Sequence, residues 1–484
     1  MTTVLRGGRV AAVDGTVDIL ISDGRIAALA PAGRLRGDDL VSLDGRWVAP
    51  GLWDNHVHFT QWAQTARRLD VSQASSAAAA AELVRERAAA AATAETLVGF
   101  GFHDALWPDV PTRALLDDAA GDRPAVLIAG DLHCCWLNTA AARLYAPETA
   151  DDDNAAVLRE DASFAVTSRL STADDATLDR WASDAALAAA ARGVVGIVDL
   201  EYGWNLDVWQ RRMGDGARSL RVEFGIYGDH LARAADLGLR TGDAIPETGG
   251  LLTVGPFKVI TDGSLNTRTA FCFDAYPDGG HGVQNLTPDE LVAAMRFAAD
   301  NGLEPAVHAI GDHANRLALD AFATVGVPGR IEHAQLLSTA DVSRFAELGV
   351  VASVQPEHAM DDRDVADVLW AGRTGRAFPL AALQRAGVRL ALGSDAPVAP
   401  LDPWVAMSAA VARARDGRAP WHPEQSISRR VAFDASVRSR IAVGEPADLI
   451  VLDDDPFGCS LAELRRMPVA ATMLAGRFTH DAVR

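Results

Sequence analysis

Cysteine is scarce in this chain. There are four in 484 residues, Cys134 and Cys135 adjacent and Cys272 and Cys459 isolated. That spacing makes neither a disulfide framework nor a Cys-x-x-Cys metal knuckle, so all four are read as ordinary thiols. Positive charge is also in deficit: 45 Lys and Arg oppose 65 Asp and Glu, for a net charge of −20. Such a balance repels phosphate backbones and anionic lipid surfaces, and no nucleic acid is expected as a partner. No stretch approaches the ~18 uninterrupted apolar residues of a membrane span, so no membrane partner is expected either. The opening MTTVLRGGRVAAVDGTVDIL lacks the charged start and the apolar core of about 7–15 residues that a secretory signal needs. A cytoplasmic location is expected. No internal repeat is visible.

What the chain does have is globular material, 49% hydrophobic and 23% charged. At about 150 residues per domain, its length suggests two or three domains. Residues 3–6, 9–13, 17–21 and 25–29 read as short β segments separated by turns such as Asp14-Gly15 and Asp23-Gly24, a small antiparallel sheet. So short a unit is a poor independent core, and residues 447–452 and 469–474 offer matching material, so the two ends are expected to pair into one domain made of 1–50 and 440–484.

Between them, apolar runs alternate with Ala-rich helical stretches, the pattern of a parallel sheet covered by helices. The strand candidates are 125–128, 196–200, 221–224, 257–260, 305–308, 330–333, 350–354 and 389–393. The 51–439 segment exceeds the ~250 residues of a plain eightfold barrel. An insertion is therefore placed around 60–165, holding an Ala-rich helix (77–94) and an acidic loop (151–154).

The chemistry concentrates at strand ends. His56 and His58 are an i, i+2 pair after an apolar lead-in, and on a strand both imidazoles point to one side, as a borderline dication such as zinc requires. Alone, such a pair is weak. His308, His333 and Asp395, however, each close an apolar run, and in a parallel barrel those ends converge on one mouth. Lys258 sits inside an apolar strand, where burial of an ammonium is costly. Its neutral amine could take up carbon dioxide as an anionic carbamate able to bridge two cations, and an ion pair with Asp262 or Asp395 is the alternative.

The segments PGLWDNHVHF, FKVITDGSLNTRTA, VHAIGDHA, RIEHAQ, SVQPEH, ALGSDAPV and PADLIVLDDDP, in this order over nearly the whole chain, resemble the amidohydrolase superfamily and specifically its amidohydrolase-3 branch. The resemblance implies an α/β fold, a (β/α)8 TIM barrel beside a composite β-sandwich from both termini. It also implies a metal-dependent hydrolase of a non-peptide carbon–nitrogen bond, an N-acyl, N-formyl or cyclic amide. Carried over, His56, His58 and Asp395 would hold the more buried Zn²⁺ and His308 and His333 the more exposed one, with carbamylated Lys258 as the bridge. Metal-activated hydroxide would attack, and Asp395 would carry the proton.

His133 and His358 are candidates to bind the small-molecule substrate or its oxyanion. Asn266 and Arg268 are read as bracing their loop, and Trp62, Phe102, Trp107 and Trp136 as pocket wall or core. Trp53-Asp54-Asn55 departs from the family's usual Ile-Asp-Ala or Ile-Asp-Thr, which should alter packing under the site. A homodimer is compatible with the superfamily. Two other readings stand beside this one: a mononuclear deaminase on the same scaffold, disfavoured because no Glu follows His308 closely, and a non-catalytic regulatory homologue.

Overall fold

The computed structural model describes residues 2–11, 13–65, 67–90, 95–150, 152, 155–170 and 173–484. Its centre is a sheet of eight parallel strands, in chain order Leu52–Val57, Val194–Asp199, Arg221–Tyr227, Leu252–Ile260, Pro305–Ala309, Gly329–His333, Val350–Val354 and Leu390–Leu392. These are called barrel strands one to eight. They are apolar on both faces because helices such as Asn205–Gly214 and Asp312–Val325 cover them outside and side-chain layers fill them inside. The fold is the eightfold α/β barrel expected.

Closure runs through the seam between strands one and eight. There Asp395 N donates to His56 O at 2.7 Å and His58 N to Ala396 O at 2.7 Å. Side chains reinforce the seam: Asp54 Oδ1 accepts from Ser394 N at 2.8 Å, and Asn55 Nδ2 donates to Leu392 O at 2.8 Å. The approach is so close that a Cβ on Gly393 would lie 2.8 Å from His56 N and 2.9 Å from His56 Cβ. The departure at Trp53 has a structural counterpart, since the Arg438 guanidinium stacks 4.0 Å above the Trp53 ring beneath the seam.

Both ends of the chain build one further sheet, in the order Arg477–Asp481, Val469–Leu474, Leu449–Leu452, Trp47–Pro50, Thr3–Val10, Val17–Ser22, Arg25–Pro31, with Asp39–Ser42 added to Thr3–Val10. Ile19, Ile21 and Ile26 from the N-terminal half pack with Leu449, Val451 and Met473 from the C-terminal half. Segments 3–6 and 9–13, read as separate, form one strand that ends at Val10. Gly7, at φ 71°, lets it kink so that its first half pairs with Val17–Ser22 and its second with Trp47–Pro50. Ala12 lies outside the described residues.

Between strand one and strand two the chain makes a second, five-stranded sheet: Leu69–Asp70, Leu97–Phe102, Ala125–Ala129, Cys134–Leu137 and Val157–Arg159. The 125–128 run, grouped with the barrel candidates from sequence, is the middle strand here. Helices cover both of its faces, so its composition matches that of a barrel strand. The expected 77–94 helix spans Ala77–Ala90. Residues 91–94, and Asp151, Asp153 and Asn154 of the acidic loop, lie outside the described residues.

Because both atoms met by a Cβ at position 393 belong to strand one and not to a flexible side-chain end, Gly393→Ala is expected to force the seam apart. The expected loss is about 1–3 kcal/mol of unfolding free energy. Denaturant titration should show a lower midpoint with an unchanged slope.

Candidate metal centre

The seam delivers three ligand-type side chains to one point. His56 Nε2 and His58 Nε2 each lie 3.3 Å from Asp395 Oδ1. The other carboxylate oxygen faces a second group, with Asp395 Oδ2 3.8 Å from His358 Nε2 and His333 completing the set. Asp395 is thus shared between two clusters. Asp395 and His333 both hold left-handed backbone conformations, φ 57° and 73°, at the ends of strands eight and six. Such strain in non-glycine residues collects at functional sites.

The pairing read from sequence, His308 with His333, is arranged differently. His308 and His333 rings stand 4.5 Å apart, centroid to centroid, but His308 Nε2 faces Asp262 Oδ1 at 3.5 Å. Asp262 is fixed there by the backbone N–H groups of Ile310, Gly311 and Phe271. Among the described residues, no three His, Cys, Asp or Glu that include His308 bring their ligand atoms within 4.8 Å of one another. His358 is the residue whose ligand atom clusters with those of His333 and Asp395, although its ring lies farther from that of His333, 6.1 Å centroid to centroid.

The donor chemistry fits a dication. Burial lowers the His56, His308 and His333 imidazoles, leaving them neutral, the form that ligates. Burial would raise Asp395, yet the imidazoles of His56, His58 and His333 packed around it, one of them hydrogen-bonded, hold the carboxylate well below its usual range. His58 Nδ1, His308 Nε2, His333 Nδ1 and His358 Nε2 are all buried without a hydrogen-bond partner. Orphaned buried nitrogens of this kind are costly unless something binds them. Glu332 supplies an outer layer: His56 Nδ1–H donates to its Oε2 at 2.7 Å, which turns the Nε2 lone pair toward Asp395. Burial would raise Glu332 too, but Arg330, His56 and Lys258 together hold it at about 2.

Lys258, from strand four, is 1% exposed and lines the same cavity. Burial lowers its amine to about 8. It is the only lysine among the 45 Lys and Arg of the chain. Arginine serves everywhere else, and arginine cannot become a neutral amine at physiological pH. That count was available from sequence and is a sharper signal than the apolar context of the residue.

The insertion roofs the site. His133 follows its middle strand, and its Nδ1 meets Glu160 Oε2 at 2.8 Å, while Thr269 Oγ1 donates to Glu160 Oε1 at 2.6 Å. Burial alone would lower His133, but the Glu160 hydrogen bond and charge, with Asp131, raise it to about 9. One imidazolium therefore faces a cluster of neutral imidazoles, 6.3 Å from the His308 ring. Arg268 does brace its loop, through Asp278 at 3.0 Å. Asn266 does not: its side chain lines the cavity, and both its polar atoms are buried and unpartnered.

Phe102, Trp107 and Trp136 pack in the insertion core, and Trp62 against the barrel core. The aromatic wall is Phe164, Tyr202 and Tyr227, none singled out from sequence. Phe164 and Tyr202, with Leu132, also line an adjoining chamber of about 490 Å³ that reaches Leu178 and Val208.

Since His133 is raised from 6.5 to about 9 in the folded protein, the stability it gains from Glu160 is complete below pH 6.5 and is lost as pH rises through about 9. The melting-temperature gap between wild type and Glu160→Gln should be widest at the acidic end of that range and close above it.

The comparisons with known proteins agree with this geometry. Residues 39–480 match the sequence model of the amidohydrolase family. The chain is 28% identical to the protein LONG AFTER FAR-RED 3 of Arabidopsis thaliana, over 89% of this chain and 80% of that one. It is 26% identical to the N-substituted formamide deformylase of Arthrobacter pascens, over 96% and 94%. Among solved structures, an uncharacterized metal-dependent hydrolase of Pyrococcus horikoshii superposes with a TM-score of 0.79 at 23% identity, covering 96% of this chain and 99% of that one. With 442 of its 484 residues inside one family match, this chain belongs to the amidohydrolase family.

Proposed function

We propose that the protein is a zinc-dependent hydrolase of a small non-peptide amide, an N-acyl, N-formyl or cyclic amide. The observation that carries this reading is the shared Asp395 carboxylate, 3.3 Å from two imidazoles on one side and 3.8 Å from a third on the other. His56, His58 and Asp395 would hold one ion. His333 with His358 or His308 would hold the second, and Lys258 as a carbamate would join them. Zinc in such a site lowers the pKa of water toward ~7 and polarises a carbonyl.

The remaining steps belong to side chains. Asp395, kept ionised, accepts the proton of the attacking water and returns it to the leaving nitrogen, so that water is consumed and a carboxylic acid and an amine are released. The His133 imidazolium, fixed by Glu160, donates to the carbonyl oxygen as negative charge grows there. Phe164 and Tyr202 exclude water and receive the apolar part of the substrate. The similarity to a formamide deformylase supports the carbon–nitrogen bond as the target. The net charge of −20 supports a small molecule, and not a nucleic acid, as the substrate.

The test is metal content per chain in wild type and Lys258→Arg, with a screen of N-formyl amines, N-acyl amines and cyclic amides. About two zinc ions per chain are expected, falling to one or none in the variant, since a guanidinium forms no carbamate. A ¹³C-bicarbonate carbamate resonance should be present in wild type and missing in Lys258→Arg. One metal in both proteins would remove the bridge and favour a mononuclear site. Absence of metal from both, with no turnover of any amide, would defeat the enzymatic reading.

A further inference from the structure

The metal cavity is small. It leaves about 60 Å³, the liquid volume of about two water molecules, so it has room for a reacting carbonyl and its water and little more. Whatever else a substrate carries must lie elsewhere. The adjoining chamber offers about 490 Å³, and Leu132, Phe164 and Tyr202 line both spaces. The Tyr202 ring stacks on the candidate ligand His58, with centroids 5.4 Å apart and planes 17° from parallel. A single ring thus touches a candidate ligand and forms part of the chamber wall.

Two features of the shared wall are unlike ordinary packing. Tyr202 is left 45% exposed, a large aromatic surface uncovered beside the site. Leu132 holds φ 67°, a left-handed conformation costly for a side chain of that size. The charges of the chamber, in contrast, are already spent. Arg211 lies 3.1 Å from Asp175 and 2.7 Å from Asp179, and Arg212 lies 2.8 Å from Asp179. Glu201 accepts from Gln61 N at 2.9 Å and from its Nε2 at 2.7 Å. Arg68 donates to Gln64 Oε1 at 3.1 Å and feels the charge of Glu201. The wall that remains unmatched is apolar: Ile128, Leu132, Phe164, Leu178, Tyr202 and Val208.

We propose that this chamber receives the substituent of the substrate amide, and that the substituent is an uncharged hydrocarbon group of benzyl size or larger. The substrate class is then an amide bearing an aryl or bulky alkyl group, an assignment that rests on the hydrolase reading above. An apolar group gains by leaving water for such walls, whereas a charged one would give up its hydration for partners that are already paired. The volume falls in the range that encloses small-molecule ligands. Leu178 and Val208 come from two helices, Asp175–Ala190 and Asn205–Gly214, and neither lines the metal cavity.

The test pairs ligands that cannot be hydrolysed with ones that can. Benzylacetone and butanone have the shapes of an acetamide with and without the aromatic group, a methylene replacing the N–H. Both are titrated calorimetrically into the metal-loaded protein and into Val208→Trp and Leu178→Trp, which extend a larger side chain into the chamber from either helix. Both positions are half-buried and outside the barrel core, and thermal melting checks the fold. Benzylacetone is expected to bind about 30-fold more tightly than butanone in wild type, and that ratio should fall to about three or less in the variants. The ratio of kcat/KM for N-benzylacetamide over N-methylacetamide should behave alike, and N-methyl-phenylacetamide tells which side of the bond the chamber serves. Equal binding of the two ketones by wild type, or a ratio untouched by both substitutions, overturns the proposal. So does a preference for a para-carboxybenzyl amide over the benzyl amide, which would make Arg68 and not the apolar wall the recognition element. Ketone binding in the expected pattern with no turnover of any amide would leave the chamber assigned and defeat the hydrolase reading alone.

Discussion

Everything at the mouth of this barrel depends on how strand one meets strand eight. His56 and Asp395 are 339 positions apart, and only the closure of the sheet brings their side chains together. The closing bonds are made by the candidate ligand residues themselves: the N–H of Asp395 donates to the carbonyl of His56, and the N–H of His58 to that of Ala396. The geometry of the site and the integrity of the barrel are therefore one constraint. Asp54 and Asn55, flanking His56 in sequence, secure the same seam from their side chains. A residue that loosened it would act on stability and chemistry at once.

A second constraint is electrostatic. At the mouth, desolvation favours the neutral form of the buried His56, His308 and His333 imidazoles, whereas His133 is held protonated by Glu160 standing against it. The two populations come from different parts of the chain. Neutral imidazoles belong to the barrel strands and their ends, while the cationic one comes from the insertion and its counter-ion from the end of that insertion's last strand. The scaffold contributes the candidate ligands, and the inserted sheet contributes charge, aromatic wall and shape. This division lets specificity change by rebuilding the insertion without touching the ligands.

Much of this was legible in the residues. Apolar runs ending in His or Asp marked the strand ends because a barrel strand buried on both faces has no polar alternation to hide them. The N- and C-terminal β segments were each too short to fold alone, which foretold their union. What was not legible depends on three-dimensional direction. His308 lies in an apolar strand and His358 just after one, and only the fold shows that the first stands beside Asp262, pinned by three backbone amides, while the second stands beside Asp395. The supporting carboxylates Glu332 and Glu160 lie beside more conspicuous histidines or on loops, and nothing in their local sequence names the imidazole each one meets. The strand Ala125–Ala129 misled for a related reason: a small sheet covered on both faces has the same composition as a large one.

The solitary lysine reaches beyond the active site. With every other basic side chain an arginine and Lys258 enclosed at 1% exposure, the folded molecule offers solvent no side-chain amine at all. Reagents and metabolites that acylate lysine side chains find only guanidinium on the folded surface, and guanidinium resists them. Labelling of the one lysine therefore reports molecules whose barrel has opened, whatever reacts at the α-amine.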